Sequence, residues 1–129
     1  MHKDFSIKSP LEFQQAFRQR ISAGDGLFVV FGVRTELPVC RLGLSISRKF
    51  GTAVERNRWK RLVRQVFREE RPNLPAGVNF VVIPGKQLRS DRLKDFQLSL
   101  PKLFARVVKK LEQKETERKE TGNKTEAES

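Results

Sequence analysis

Apolar positions recur along this chain with two periods, and the switches between them divide it into short elements. Between Pro10 and Ile21, Phe13, Phe17 and Ile21 recur every fourth residue, which predicts one apolar face of a helix. Ser9-Pro10-Leu11-Glu12 supplies its start: Ser9 can cap, Pro10 suits the first turn and Glu12 can reach back to the cap. The loop from Ser22 to Gly26 ends it, with room for a short extra strand near Ile21 to Ala23. Leu27 to Val33 is apolar on both alternating sets and rich in β-formers, so it reads as a strand covered on both faces. Val39 to Ser47 instead alternates: Cys40, Leu42, Leu44 and Ile46 face one way, and Arg41, Gly43, Ser45 and Ser47 the other. Gly43 leaves bare backbone there for a ligand or a packed side chain to approach.

A second capping box, Thr52 to Glu55, opens a helix that runs to about Arg71, where Pro72 stops it. Its apolar stripe is Trp59, Leu62, Val63, Val66 and Phe67, and Asn57, Lys60, Arg61, Arg64 and Arg68 form the opposite stripe. Val78 to Ile83 is a further strand between two Pro/Gly turns. Leu93, Phe96, Leu100, Leu103, Phe104, Val107, Val108 and Leu111 predict a last helix, with a kink or restart at Pro101. The fold class that follows is α/β (α+β): a single-domain, two-layer sandwich of a small, mostly antiparallel sheet of about four strands with three helices, in the order α-β-β-β-α-β-α. We place the domain at residues 1–111 and a charged, disordered or fraying tail at 112–129.

Charge changes the picture from fold to function. The 129 residues carry 27 Lys and Arg against 15 Asp and Glu, a net +12, and residues 109–129 sum to zero. Residues 48–71 hold nine basic groups and three acidic ones, so half the excess lies in one helix and its approach. Like charges at that density repel, and a polyanionic partner is the economical explanation. Arginine dominates lysine there, and guanidiniums make forked bonds to phosphate and stack on unpaired bases. The ten Phe residues offer either core or a stacking platform for such bases, and periodicity favours core.

Other chemistries find little support. The one His, His2, sits at a terminus, and the one Cys, Cys40, falls on the apolar side of its strand, so neither a His-based nucleophile system nor a Cys/His zinc site is expected. Glu69 and Glu70 are adjacent on a helix and point apart. No apolar run approaches the ~20 residues that cross a membrane. We therefore expect a cytoplasmic protein with no membrane partner and no catalytic or metal-binding side chains.

The stretch RLGLSISRKFGTAVERNRWKRLVRQVFREE, Arg41 to Glu70, resembles the signature of the bacterial ribonuclease P protein subunit family, centred on Arg56-Asn57-Arg58 followed by Lys60-Arg61. EFQQAF at Glu12 to Phe17, FVVFGV at Phe28 to Val33 and NFVVIPGK at Asn79 to Lys86 follow the family's order and spacing, so the similarity spans about residues 5–111. The resemblance implies a ribonucleoprotein with a large catalytic RNA that removes the 5′ leader of precursor tRNA. It implies that the RNA holds most of the Mg²⁺ and performs the hydrolysis. It assigns contact with the catalytic RNA to Arg56, Asn57, Arg58, Lys60, Arg61 and Arg64, and we count Arg48, Lys49 and Arg68 among the RNA-binding residues as well. The leader would lie in a central cleft at Phe13, Phe17, Phe31, Ser45 and Ser47, with Arg48 and Lys49 beside it. It also implies a left-handed β-α-β crossover, against the usual hand. The chain departs from the family pattern at Trp59, commonly a smaller aliphatic, at Phe31, frequently a tyrosine, at Pro101 and in its tail. The competing reading is a general basic RNA-binding or ribosome-associated module with no role in processing.

Overall fold

A computed structural model describes the backbone of residues 5–128 and the side chains of residues 5–117. His2 lies outside the described residues. The element order is α1 (Pro10–Gln19), β1 (Ser22–Gly24), β2 (Phe28–Arg34), β3 (Arg41–Leu44), α2 (Ala53–Glu70), β4 (Val78–Pro84) and α3 (Leu93–Glu128), with short 3-10 turns at Arg48–Phe50 and Arg71–Asn73. The strands form one mixed sheet in the order β1-β2-β4-β3. The first two pairings are antiparallel and β3 runs parallel to β4, with α2 as the crossover between them.

Strand alternation sorts the two faces. Phe28 and Val30 of β2, Leu42 of β3, and Val78, Phe80 and Val82 of β4 face α2 and α3, and join Trp59, Leu62, Val63, Val66, Phe67, Phe96, Leu100 and Phe104 in the main core. Gly32 shares that face by alternation, and a Cβ there would collide with Val107 of α3. The sandwich expected from the sequence is thus present. On the opposite face Phe31 and Val33 of β2 and Val81 of β4 pack with Ile7, Phe13 and Ala16, so α1 adds a partial cover.

Several boundaries and caps differ from the sequence reading. Helix α1 ends at Gln19 rather than Ile21, because Arg20 adopts a left-handed conformation (φ 58°) and its N–H returns to the Phe17 carbonyl. Ile21 therefore leaves the Phe13–Phe17 face and packs on the main core. Ser9 occupies the N-cap position without a side-chain hydrogen bond. The expected capping box is absent there because the Glu12 carboxylate is drawn to Arg41 and Asn79 instead, a charge-assisted set of partners. Strand β3 is only four residues long, since its pairing with β4 runs from Arg41 to Leu44.

Pro101 neither breaks nor restarts α3. Its ring removes one helical hydrogen bond, but Leu100 before it and Leu103 and Phe104 after it are buried. Those anchors on both sides hold the helical course. Beyond Leu111, where composition predicts a disordered or fraying tail, α3 carries helical backbone to Glu128. Arg34 of β2 ties its early part down through a 2.6 Å ion pair to Glu115.

Candidate RNA interface

Helix α2 is fixed in register by its capping box: Thr52 Oγ1 accepts from the Glu55 N–H at 3.2 Å, and Glu55 Oε1 accepts from the Thr52 N–H at 2.9 Å. These bonds hold the Glu55 carboxyl below its ordinary range, so the first turn keeps a negative charge where the helix dipole favours it. Trp59, Leu62, Val63, Val66 and Phe67 turn inward. Asn57, Arg61, Arg64 and Arg68 consequently stand exposed along the outer arc, with half-buried Lys60 at its border. From Asn57 to Arg68 this arc extends ~16 Å at 1.5 Å per residue, several phosphate steps of a nucleic acid strand.

The arc is not neutralised by the fold. Ion pairs among the described residues are Arg34–Glu115, Arg41–Glu12 and a 4.0 Å contact of Arg58 with Asp91, and none involves Lys60, Arg61, Arg64 or Arg68. The two remaining arginines of the motif have local duties. Arg56 Nη1 donates to the Gly51 carbonyl at 2.6 Å, and Arg58 donates through Nε and Nη2 to the Asp91 carbonyl at 3.3 and 3.1 Å. They stitch the start of α2 to its flanking loops while Arg58 stays largely exposed. Arg48 and Lys49 stand exposed on the 3-10 turn before α2, which Ser47 caps by accepting from the Lys49 N–H at 3.1 Å.

The residues expected to form the cleft fall into two adjoining groups on the α1 face. Fully buried Ala16 lets α1 lie close to the sheet. Phe13 seats over Gly43, where a Cβ would come within 2.8 Å of its ring, so the bare backbone noted in the sequence receives a packed side chain. Phe17 meets Phe31 edge to face with centroids 4.9 Å apart, yet remains 37% exposed. Phe13 and Phe31 are thus partly core, and Phe17 is the aromatic surface left over. One pleat along the sheet, exposed Ser45 and Ser47 line a groove of about 520 Å³ together with Lys49, Phe50, Ile83, Pro84 and Lys86.

Sequence reasoning missed what locks α1 in place. Asn79, only 2% exposed, donates to Glu12 Oε2 at 3.3 Å and accepts from Arg41 Nε at 3.1 Å, and Arg41 also pairs with Glu12. An amide inside the otherwise apolar run of β4 was the available signal, since buried polar groups require partners. Phe50 and Lys86 were also missed as groove residues. Cys40 is buried, and desolvation raises its thiol pKa despite the opposing effect of nearby Arg71, which keeps it in the unreactive thiol form.

With this geometry in hand, comparison with known proteins identifies its kind. The family model described as Ribonuclease P matches residues 1–108. The ribonuclease P protein component of Geobacillus thermodenitrificans is 44% identical over 84 residues, covering 64% of this chain and 69% of that protein. The component from an Exiguobacterium species is 36% identical over 107 residues, covering 83% and 93%. Among solved structures, the RNase P protein from Thermotoga maritima superposes with a TM-score of 0.71 at 31% identity, covering 78% of this chain and 96% of that one. The Staphylococcus aureus protein gives 0.69 at 29% identity, covering 77% and 91%.

Proposed function

Because the chain belongs to the bacterial ribonuclease P protein family, it is the protein subunit of a ribonucleoprotein endoribonuclease of tRNA 5′ processing, and we propose how its surfaces divide that work. The outer arc of α2, with Asn57, Lys60, Arg61, Arg64 and Arg68, docks the RNA subunit. Arg48, Lys49, Arg56 and Arg58 extend that contact at the N-terminal end of the helix. The α1 face, with Phe13, Phe17, Phe31, Ser45 and Ser47, receives the single-stranded 5′ leader of precursor tRNA. The observation that carries the proposal is the exposed row of guanidiniums without acidic partners, held on a helix whose other side is core. Paying the repulsion within that row is reasonable only if phosphates relieve it.

The protein in this proposal positions and the RNA cleaves. Ribonuclease P is a Mg²⁺-dependent family. No group of three or more His, Cys, Asp or Glu among the described residues is placed to hold a metal ion. Glu12 of α1 and Glu55 of α2 are turned to the chain's own donors, Glu12 to Arg41 and Asn79, and Glu55 to Thr52, while Glu69 beside Arg68 accepts from Gln97. Mg²⁺ is commonly held by one or two carboxylates together with phosphates, and we assign the ions mainly to the RNA subunit. Among the described residues no helix is long and apolar enough to cross a membrane. We keep the domain at residues 1–111 and treat the charged segment 112–129 as an extension of it.

The test is one cleavage assay with a ribonuclease P RNA transcript, with and without the protein, at low Mg²⁺. We expect the protein to stimulate removal of the leader and to raise the affinity of the assembled enzyme for precursor over mature tRNA. Equal affinity for both forms, with no stimulation, refutes the proposal and favours a general RNA-binding module.

A further inference from the structure

A cavity of about 300 Å³ opens between the first turns of α2 and the loop at residues 85–92, lined by Phe50, Glu55, Arg58, Trp59, Arg89 and Asp91 among others. Its size is at the lower end of small-ligand pockets. Its aromatic lining is half-buried Phe50 backed by Trp59, which is 4% exposed, with ring centroids 6.3 Å apart at 56°. The walls are guanidiniums held through backbone carbonyls. Arg58 donates to the Asp91 carbonyl, and Arg89 donates to that of Phe50 while its Cζ sits 4.0 Å from the Phe50 ring centroid.

The charge of this cavity distinguishes it from the neighbouring ridge. Two arginines face two carboxylates, Glu55 and Asp91, so its lining is formally balanced. Carboxylates repel phosphate but accept from the amino and imino groups of a base edge, while guanidiniums donate to ring nitrogens and carbonyls. Flat apolar surfaces beside planar cations favour stacking of an unpaired base. Asn57, at the start of the ridge, is the immediate neighbour of Arg58.

We propose that this cavity receives one unstacked nucleobase of the RNA subunit, against Phe50 with Trp59 behind it and between Arg58 and Arg89, beside the ridge that takes its phosphates. The assignment rests on the reading of the chain as a ribonuclease P subunit. Commitment to the RNA subunit rather than the leader follows from position. The cavity belongs to the α2 side of the sheet, where Trp59 joins the main core, and the α1 surface is on the other side. Phe50 alone also lines the Ser45–Ser47 groove, which makes the leader the source to be excluded.

Trp59 is the chain's only tryptophan and backs Phe50 at this cavity, so its emission reports on what enters there. The full-length protein is titrated to saturation with a ribonuclease P RNA transcript and, separately, with a single-stranded leader oligonucleotide. We expect quenching by the transcript and none by the leader. Phe50→Leu, which leaves charge unchanged, should raise the Kd for the transcript about 5- to 100-fold with the same log–log salt slope. Thermal melting checks its folding. Arg89→Gln, at an exposed side chain, should weaken binding in the same direction and keeps the test decisive if Phe50→Leu unfolds. Unquenched Trp59 in an assembled, cleaving holoenzyme overturns the proposal, as does quenching by the leader alone or an unchanged Kd in both variants. Failure of the wild-type chain to bind the transcript or to stimulate cleavage overturns the functional reading as well.

Discussion

Replacing Arg61, Arg64 and Arg68 together by Ala isolates the electrostatic part of RNA binding from the fold. All three side chains are exposed on one arc of α2 and have no acidic partner among the described residues. Removing them therefore leaves no charge unpaired and opens no cavity, and stability should change by no more than ~0.5 kcal/mol. Relief of like-charge repulsion pushes that small change towards stabilisation. Each phosphate contact contributes about 0.7 to 0.9 to the slope of log affinity against log salt, so three lost contacts flatten the slope by about 2.1 to 2.7. Between 50 and 200 mM salt, wild-type affinity should accordingly fall roughly 20- to 40-fold further than that of the triple variant. Filter binding to a ribonuclease P RNA transcript across that range measures the slope, and thermal denaturation of the same preparations measures stability. Parallel salt plots would remove these side chains from the phosphate interface, and a large loss of melting temperature would mean that they serve the fold.

Three further expectations concern other parts of the molecule. Phe17→Ala removes the exposed partner of the Phe31 edge-to-face pair; it should weaken leader binding by about 1 to 3 kcal/mol with little effect on assembly with the RNA, and an unaltered affinity for precursor tRNA would return Phe17 to a packing role. Gly43→Ala drives a Cβ to 2.8 Å from the Phe13 ring and 3.2 Å from Ile7 Cβ, and should cost roughly 1 to 3 kcal/mol in a denaturant titration; a neutral result would mean that α1 shifts freely on the sheet. The Glu55 pKa is lowered by its bonds with Thr52, so its stabilising effect is complete above the ordinary carboxylate pKa of ~4.3 and is lost as pH falls through the lower folded value. Glu55→Gln should therefore flatten the acid limb of a stability–pH profile below that pH, and superimposable profiles would contradict the assignment.

The elements most readily legible were those whose cause is local. Thr52 and Glu55 announced the start of α2 three residues apart and form the box they predict. The Trp59–Phe67 stripe specified which side of α2 is buried, and therefore which side presents arginines. Alternation in Val39 to Ser47 separated Leu42 from Gly43 correctly, although not the length of the strand, which depends on how far β4 runs beside it. The first helix shows the limit of such reasoning. Ser9, Pro10 and Glu12 satisfy the local pattern of a capping box, but Glu12 sits within reach of Arg41 and Asn79 once the strands are assembled, and those partners prevail. Pro101 is the converse case, a local helix breaker held in helix by buried Leu100, Leu103 and Phe104.

The candidate sites divide in the same way. The ridge was readable because its members share one helix and one period. The cleft was less so: from periodicity, Phe13, Phe17 and Phe31 were equivalent aromatic residues, and only packing separates a ring seated over Gly43 from one left 37% exposed. Phe50 and Arg89 are 39 residues apart and meet as a stacked cation and ring that no local pattern predicts.

By itself the sequence determined the identity and phase of the elements, the excess of positive charge and the helix that concentrates it, because these follow from residues within a few turns of one another. The tertiary structure alone decided that β3 lies parallel beside β4, that α1 covers the face away from α2, and that Phe50, Trp59, Arg58 and Arg89 enclose one cavity. Those outcomes depend on which distant segments become neighbours, a choice made by burial of the whole apolar surface at once.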